Sequence, residues 1–309
     1  MMQTSATEKS VTLTEPEWTS RRADHSARVN RLIGAYLHDR AQGISHPVLD
    51  FLFTYYSYKP GHLKRWNPGF EVVLTGEAAQ DYAAFASYES VAEPDFGYRV
   101  RRSLIEQRRS AIVFTRDLLE ATMTRQPNLG CFGLHEWAMV YRGGQPALRH
   151  GSVPLRLGHD GTDAVVESMK IRCTHYDAFR FFTPDAAPKN FLDLSPASRT
   201  EREQPGCVHA SMDLYKWSYK LSPLIDSKLV LDCFELALDA RTIDMRASPY
   251  DLSAYSLSPI AIETPSGRAE YVRAQTDLSA RAAPLRSELA MRCENLLVSG
   301  GYGVRHTAE

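Results

Sequence analysis

The sequence predicts a mainly α fold, a single large helical domain with a small irregular or hairpin insertion in mid-chain. Three observations carry this reading. Apolar residues recur at helical spacing through most of the chain, with capping residues ahead of them. No regular strand and helix alternation supports a parallel sheet. Glycine and proline are concentrated in a few stretches: Lys59 to Asp95, Gly143 to Gly161, and Thr183 to Gly206. With 309 residues, 43% of them hydrophobic, the chain can bury a sizeable core.

Taken in order, residues 1–14 and 299–309 are poor in apolar side chains and are expected to be mobile tails around a domain spanning 15–298. Thr14 with Glu17 forms a capping box for a helix running to about Gln42, where Gly43 stops it. Ser45 and Pro47 start a second helix. In the loop-rich stretch that follows, Phe70 to Leu74 reads as a short strand and Glu77 to Ser87 as a helix. Helices are expected over Gly97 to Thr124 and Phe132 to Tyr141, and again from a Thr162 cap to about Cys173. Thr183 to Gly206, with four prolines, is a long irregular connection. Three helices close the chain: Cys207 to Leu221, a long one from Pro223 with Ser222 at its cap, and Thr264 to Leu297 with a break near Pro284.

A formal net charge of -1 excludes strong non-specific binding to duplex DNA, although Arg21, Arg22, Arg28 and Arg31 can make a local basic patch. Five widely spaced cysteines, with no Cys-x-x-Cys, fit reduced thiols of a cytoplasmic protein better than disulfides or a zinc knuckle. No apolar signal core or membrane-spanning run of about 18 residues is visible.

Two helices stand out because their polar side chains fall on one narrow stripe. In His46 to Ser57, His46, Asp50, Thr54 and Ser57 share a face while aromatic and aliphatic residues cover the rest. In Cys207 to Leu221, His209, Asp213, Lys216 and Lys220 do the same. Both stripes open with His-x-x-x-Asp. An imidazole one turn from a carboxylate in an apolar setting must be paired or functional. Asp50, Asp213, His46, His209 and Lys216 are therefore the candidate catalytic residues. The alternative is a metal centre with His46, Asp50, His209 and Asp213 as ligands, two helices facing each other in a bundle.

The segment Thr174 to Phe182, read as a strand, puts His175 and Asp177 on one face toward a pocket. With Arg180, Tyr55 and Trp217 they form the candidate substrate-binding set. Other charged groups read as ordinary. Lys228, Asp232, Glu235, Asp239, Thr242 and Arg246 form a solvated helix face. His135-Glu136-Trp137 lacks the second histidine of a zinc-protease helix and reads as core, while His150 and His159 read as exposed loop residues. Phosphate loops, Gly-x-Gly-x-x-Gly and Gly-x-Ser-x-Gly are absent from the sequence.

His46 to Gly69 (HPVLDFLFTYYSYKPGHLKRWNPG), Cys131 to Arg142 (CFGLHEWAMVYR) and Arg149 to Gly158 (RHGSVPLRLG) together resemble a group of actinobacterial proteins commonly labelled 3-methyladenine DNA glycosylase, over about residues 16–298. The resemblance implies hydrolysis of an N-glycosidic bond to a modified purine, in DNA or in a free nucleoside or nucleotide. Of the helix-hairpin-helix glycosylase signature only Pro205-Gly206 and Pro223-Leu-Ile-Asp226 are present, and Asp226 reads equally as a first-turn acid. The leading expectation is thus a cofactor-free N-glycosylase with a nucleoside-type ligand. Its rivals are a helical-bundle enzyme using a divalent metal and a non-catalytic nucleotide-binding protein.

Overall fold

The computed structural model describes residues 10–92, 96–143 and 153–302. The terminal tails beyond residues 10 and 302, His150 and residues 144–152 of the mid-chain insertion lie outside the described residues.

Helix accounts for 59% of the structure and strand for 7%, so the fold is mainly α as the periodicity predicts. Strand β1 (Val11–Leu13) leads into α1 (Glu15–Ala41), whose capping box is formed: the Thr14 N–H donates to Glu17 Oε2 at 2.8 Å. Helices α2 (Leu49–Thr54) and α3 (Pro60–Lys64) follow, then β2 (Val72–Thr75), a 3-10 segment over Glu77–Ala84, β3 (Tyr88–Val91) and β4 (Gly97–Val100). Next come α4 (Ser103–Gln107), α5 (Arg109–Met123), α6 (Leu134–Ala138), α7 (Gly158–Ser168), α8 (Tyr176–Phe179) and α9 (Arg199–Arg202). The chain closes with α10 (Val208–Lys220), α11 (Ser227–Arg246) and α12 (Pro265–Ser299).

The strands form one small sheet in the order β1-β2-β4-β3, parallel between β1 and β2 and antiparallel elsewhere, with Val11 opposite Val72 and Tyr88 opposite Val100. Only β2 is foreseen from sequence. Four-residue strands give too few side chains to separate period two from helical spacing, so β3 and β4 are not legible and Gly97 reads as a helix start. Likewise β1 turns part of the expected N-terminal tail into a sheet edge. Trp18 of α1 locks the helix to the sheet, donating from Nε1 to the Thr75 carbonyl at 2.9 Å while stacking on Trp66.

The helical core is α10 packed between α11 and α12, with α5 along α12 and α1 across α11. Several helix ends differ from expectation for local reasons. Helix α11 starts at Ser227 because Asp226, and not Ser222, caps it, accepting from the Leu229 N–H at 3.0 Å. Helix α7 starts at Gly158, so Thr162 sits inside it and donates its hydroxyl to the Gly158 carbonyl. Helix α12 runs through Pro284 without a break, its buried face held by Leu278, Ala282 and Leu289. Among the described residues no helix is long and apolar enough to cross a membrane.

Candidate functional site

Helix α10 is buried over its whole length from Val208 to Ser218, because aromatic and aliphatic residues flank its polar stripe on both sides. The stripe therefore faces protein. Asp213 lies in mid-helix, where the backbone N–H groups are already bonded, so its carboxylate must find side-chain partners. It accepts from the Lys216 ammonium and, at 3.0 Å, from the Tyr56 hydroxyl just beyond α2. Lys216 also donates to Asp177 Oδ2 at 2.9 Å, and Arg199 donates to Asp177 Oδ1 at 2.8 Å. Burial alone would raise the Asp213 carboxyl. Lys216 and His175 outweigh it and hold Asp213 well below the usual carboxylate range. Burial opposes the Lys216 charge in the same way, and Asp213 and Asp177 reverse it.

The segment 174–182 is not the expected strand. His175 precedes the one-turn helix α8, and this places both His175 and Asp177 toward α10. The His175 Nε2 atom lies 3.3 Å from Asp213 Oδ2 and 3.5 Å from Glu203 Oε1. Neither His175 nitrogen makes a hydrogen bond, although the residue is fully buried.

A second group adjoins the first through the His209 ring. His209 stacks on His175 with centroids 5.2 Å apart and meets His135 edge-on at 4.4 Å. His135 Nε2 is 2.6 Å from Asp244 Oδ1, and His209 Nε2 is 3.9 Å from Asp244 Oδ2. One donor atom from each of His135, His209 and Asp244 falls within 4.8 Å of the others, and all three residues are buried. Arg241 secures the carboxylate side, donating to Asp244 Oδ2 at 2.9 Å and to Glu136 Oε1 at 2.7 Å. Burial would lower the His135 ring, but Asp244 raises it well above an ordinary histidine; burial and then His135 itself push His209 well below.

Local backbone sets up this second group. Phe132 and Gly133 both adopt left-handed conformations, φ 51° and 74°, turning the chain so that Cys131 Sγ returns to within 3.5 Å of His135 Nδ1. Behind it lies a small, partly open cavity of about 10 Å³ lined by Cys131, Cys173, Cys207, His135 and His209 among others.

Five carboxylates are buried together here: Glu136, Asp177, Glu203, Asp213 and Asp244. The lysine and arginine side chains paired to them are Lys216, Arg199, Arg180 and Arg241. Buried Arg286, whose charge Glu203 favours, and the His135 ring, raised by Asp244, add positive charge to the same region. Glu203 Oε1 and His209 Nδ1, like both His175 nitrogens, are buried without a hydrogen-bond partner. The His175 Nε2 and Glu203 Oε1 atoms keep ion-pair contact at 3.5 Å, whereas each of His175 Nδ1 and His209 Nδ1 carries the cost of an unpaired buried polar atom, about 1–3 kcal/mol.

The first His-x-x-x-Asp stripe does not join this chamber. Asp50 accepts from the His46 N–H at 2.8 Å and from the Tyr36 hydroxyl of α1 at 2.8 Å, and its side chain is 31% exposed. The His46 Nδ1 atom accepts from the N–H groups of Val48 and Leu49. Both residues serve the N-terminal turn of α2, so the four-ligand set of His46, Asp50, His209 and Asp213 is not assembled. Tyr55 and Trp217 already have neighbours: Tyr55 stacks on Phe51 at 4.8 Å, and Trp217 carries the Lys216 ammonium over its ring with Phe114 at its edge. Arg180 is more exposed, its Nε 3.6 Å from Asp177 Oδ1. His159 is exposed as expected.

Sequence reasoning missed His135, Glu136, Glu203, Arg241 and Asp244. For two of them a signal exists. Val230, Phe234, Ala237, Arg241 and Asp244 follow one another at four- and three-residue steps along the apolar register of α11, so two charged residues occupy core positions. The stripe read as solvated is in part an interhelical seam, with Arg28 of α1 donating to Asp232 Oδ1 at 2.6 Å and to Glu235 Oε1 at 3.1 Å. No protein-family model matches the chain, and no curated protein and no solved structure shows a significant similarity to it.

Proposed function

We propose that the chain is a metal-dependent hydrolase, with His135, His209 and Asp244 as ligands of a divalent transition ion. The observation that carries this is the convergence of those three buried donors within 4.8 Å of one another. Two imidazoles and one carboxylate suit zinc, iron or manganese and leave coordination positions for water and substrate. Such an ion acidifies bound water to near neutral pH. His175, held between Asp213 and Glu203, is the proton carrier beside it, and Lys216 keeps Asp213 anionic so that it favours the charged ring. The test is metal analysis of the purified protein together with Asp244→Asn and His135→Gln. A bound ion near one per chain that falls in both variants supports the reading; metal-free, fully folded wild type refutes it.

N-glycosidic hydrolysis is the second reading, favoured by one observation. Asp213 is a fully buried carboxylate held in its charged form beside Tyr56, the kind of group that stabilises positive charge on a sugar as a base departs. The small cavity beside His135 and His209 is not lined by Asp213. A screen of modified purine nucleosides for released base decides it, and absence of release across the panel rejects it.

A further inference from the structure

A separate cavity of about 230 Å³ lies where the turn after α3, the end of the 3-10 segment, the start of β3, the junction of α4 with α5 and the exit from α10 meet. Its walls are aromatic: Tyr58, Trp66, Phe85 and Tyr88 line it, and no acidic residue does. Two cations are set among these rings. Arg65 lies over the Phe85 ring, 4.7 Å from its centroid. Arg108 donates from Nη1 to the carbonyls of Lys220 and Ser222, which fixes the guanidinium and leaves Nε and Nη2 uncommitted. Neither arginine is in an ion pair among the described residues. Burial opposes the Arg108 charge, and no carboxylate stands close enough to offset it.

The tyrosines supply a second deficit. The Tyr82 hydroxyl donates to the Trp66 carbonyl at 3.5 Å and the Tyr58 hydroxyl to the His62 carbonyl at 3.4 Å. Tyr88, only 6% exposed, has its hydroxyl buried without a hydrogen-bond partner. An unpaired polar atom and a partly buried cation without a counter-ion therefore meet in one aromatic cavity. We propose that this cavity binds a small aromatic anion, a planar ring bearing a carboxylate or phosphate, whose charged group meets Arg65 and Arg108 while the ring packs among Tyr58, Phe85 and Tyr88. The volume falls below the about 300–1,000 Å³ of pockets for drug-sized ligands, which limits the ligand to a single ring and its substituent. A neutral ring leaves the arginines without a counter-ion, and a bare inorganic anion leaves the aromatic walls uncovered. The site shares no residue with the proposed His135, His209 and Asp244 centre.

The experiment is a ligand-detected NMR titration of the full-length protein with benzoate and phenyl phosphate, with phenol and inorganic phosphate as controls. At least one aromatic anion should bind saturably, on the order of tenfold tighter than either control, and the preferred one identifies the charged group. Its affinity should fall on the order of tenfold in Arg65→Gln and in Arg108→Gln, and stay unchanged after exhaustive dialysis against a chelator. Arg65 is exposed, so Arg65→Gln carries the test alone if Arg108→Gln does not fold. Controls bound as tightly as the aromatic anions overturn the proposal, as does an affinity unchanged in Arg65→Gln. Binding lost on chelation assigns the anion to the metal centre and overturns it, and so does absence of binding by both aromatic anions.

Discussion

The two helices that open with His-x-x-x-Asp meet opposite fates, and the difference lies in where the carboxylate falls along its helix. Asp50 sits in the first turn of α2, where backbone N–H groups have no helical acceptor, and it takes the N–H of His46 together with a tyrosine from α1. Asp213 sits in the middle of α10, beyond the reach of unsatisfied backbone groups, and gathers Lys216, Tyr56 and His175 around it. The same four-residue motif is thus a cap at a helix start and a charged centre within a helix. A carboxylate's distance from the helix terminus is as informative as its apolar flanks.

The largest expected contrast is in stability. Asp213→Ala leaves the buried Lys216 ammonium with Asp177 alone and should cost about 3–5 kcal/mol, whereas Asp50→Ala removes a cap acceptor and should cost about 1 kcal/mol. Urea unfolding of both variants measures this, and equal losses would break the comparison. Next comes metal content: His209→Gln and Asp244→Asn should weaken binding on the order of tenfold or more, while His46→Gln leaves it at the wild-type level. Metal analysis after dialysis reads the difference, and a loss in His46→Gln would return the first stripe to the site.

A smaller effect belongs to pH. Burial raises the Asp177 carboxyl, but Lys216 outweighs that and the net shift is downward, so the folded chain holds the carboxylate to lower pH than the unfolded chain does. The ion pairs of Asp177 therefore stabilise the fold above about pH 4, and that stability disappears as pH falls through the lower folded-state value. The stability gap between wild type and Asp177→Asn should be full at neutral pH and close in acid; a gap independent of pH would show that the side chain's packing, and not its charge, matters. The smallest expected effect is Asp232→Asn, about 0.5–1 kcal/mol through its partly exposed pair with Arg28, measurable in the same unfolding assay.

What the sequence makes legible is local. The capping box at Thr14, the polar stripe of α10 and the long terminal helix follow from spacing within a single element, and so the mainly α class is read correctly and the burial of the α10 stripe is legible. Asp177 and His175 are chosen for the wrong reason, as neighbours on a strand face, because a one-turn helix leaves no periodic signature. The chamber itself depends on packing across elements: His135 and Asp244 lie more than a hundred positions apart, and nothing within α6 alone distinguishes a site histidine from a core one. Arg241 and Asp244 are legible only if a charge in an apolar register is treated as a clue in its own right.

The segment that covers the chamber has a kinetic consequence. Arg125 holds the carbonyls of Glu203 and Thr200, and Arg199 is paired to Asp177, so the stretch from 199 to 204 is fastened over His175 from both sides. Approach to His175 past this segment waits for those fastenings to release. For an ion or ligand at the proposed centre, exchange by that route is expected to be a first-order property of the protein, at a rate that stops rising with chelator or ligand concentration once the segment's own opening becomes the slow step.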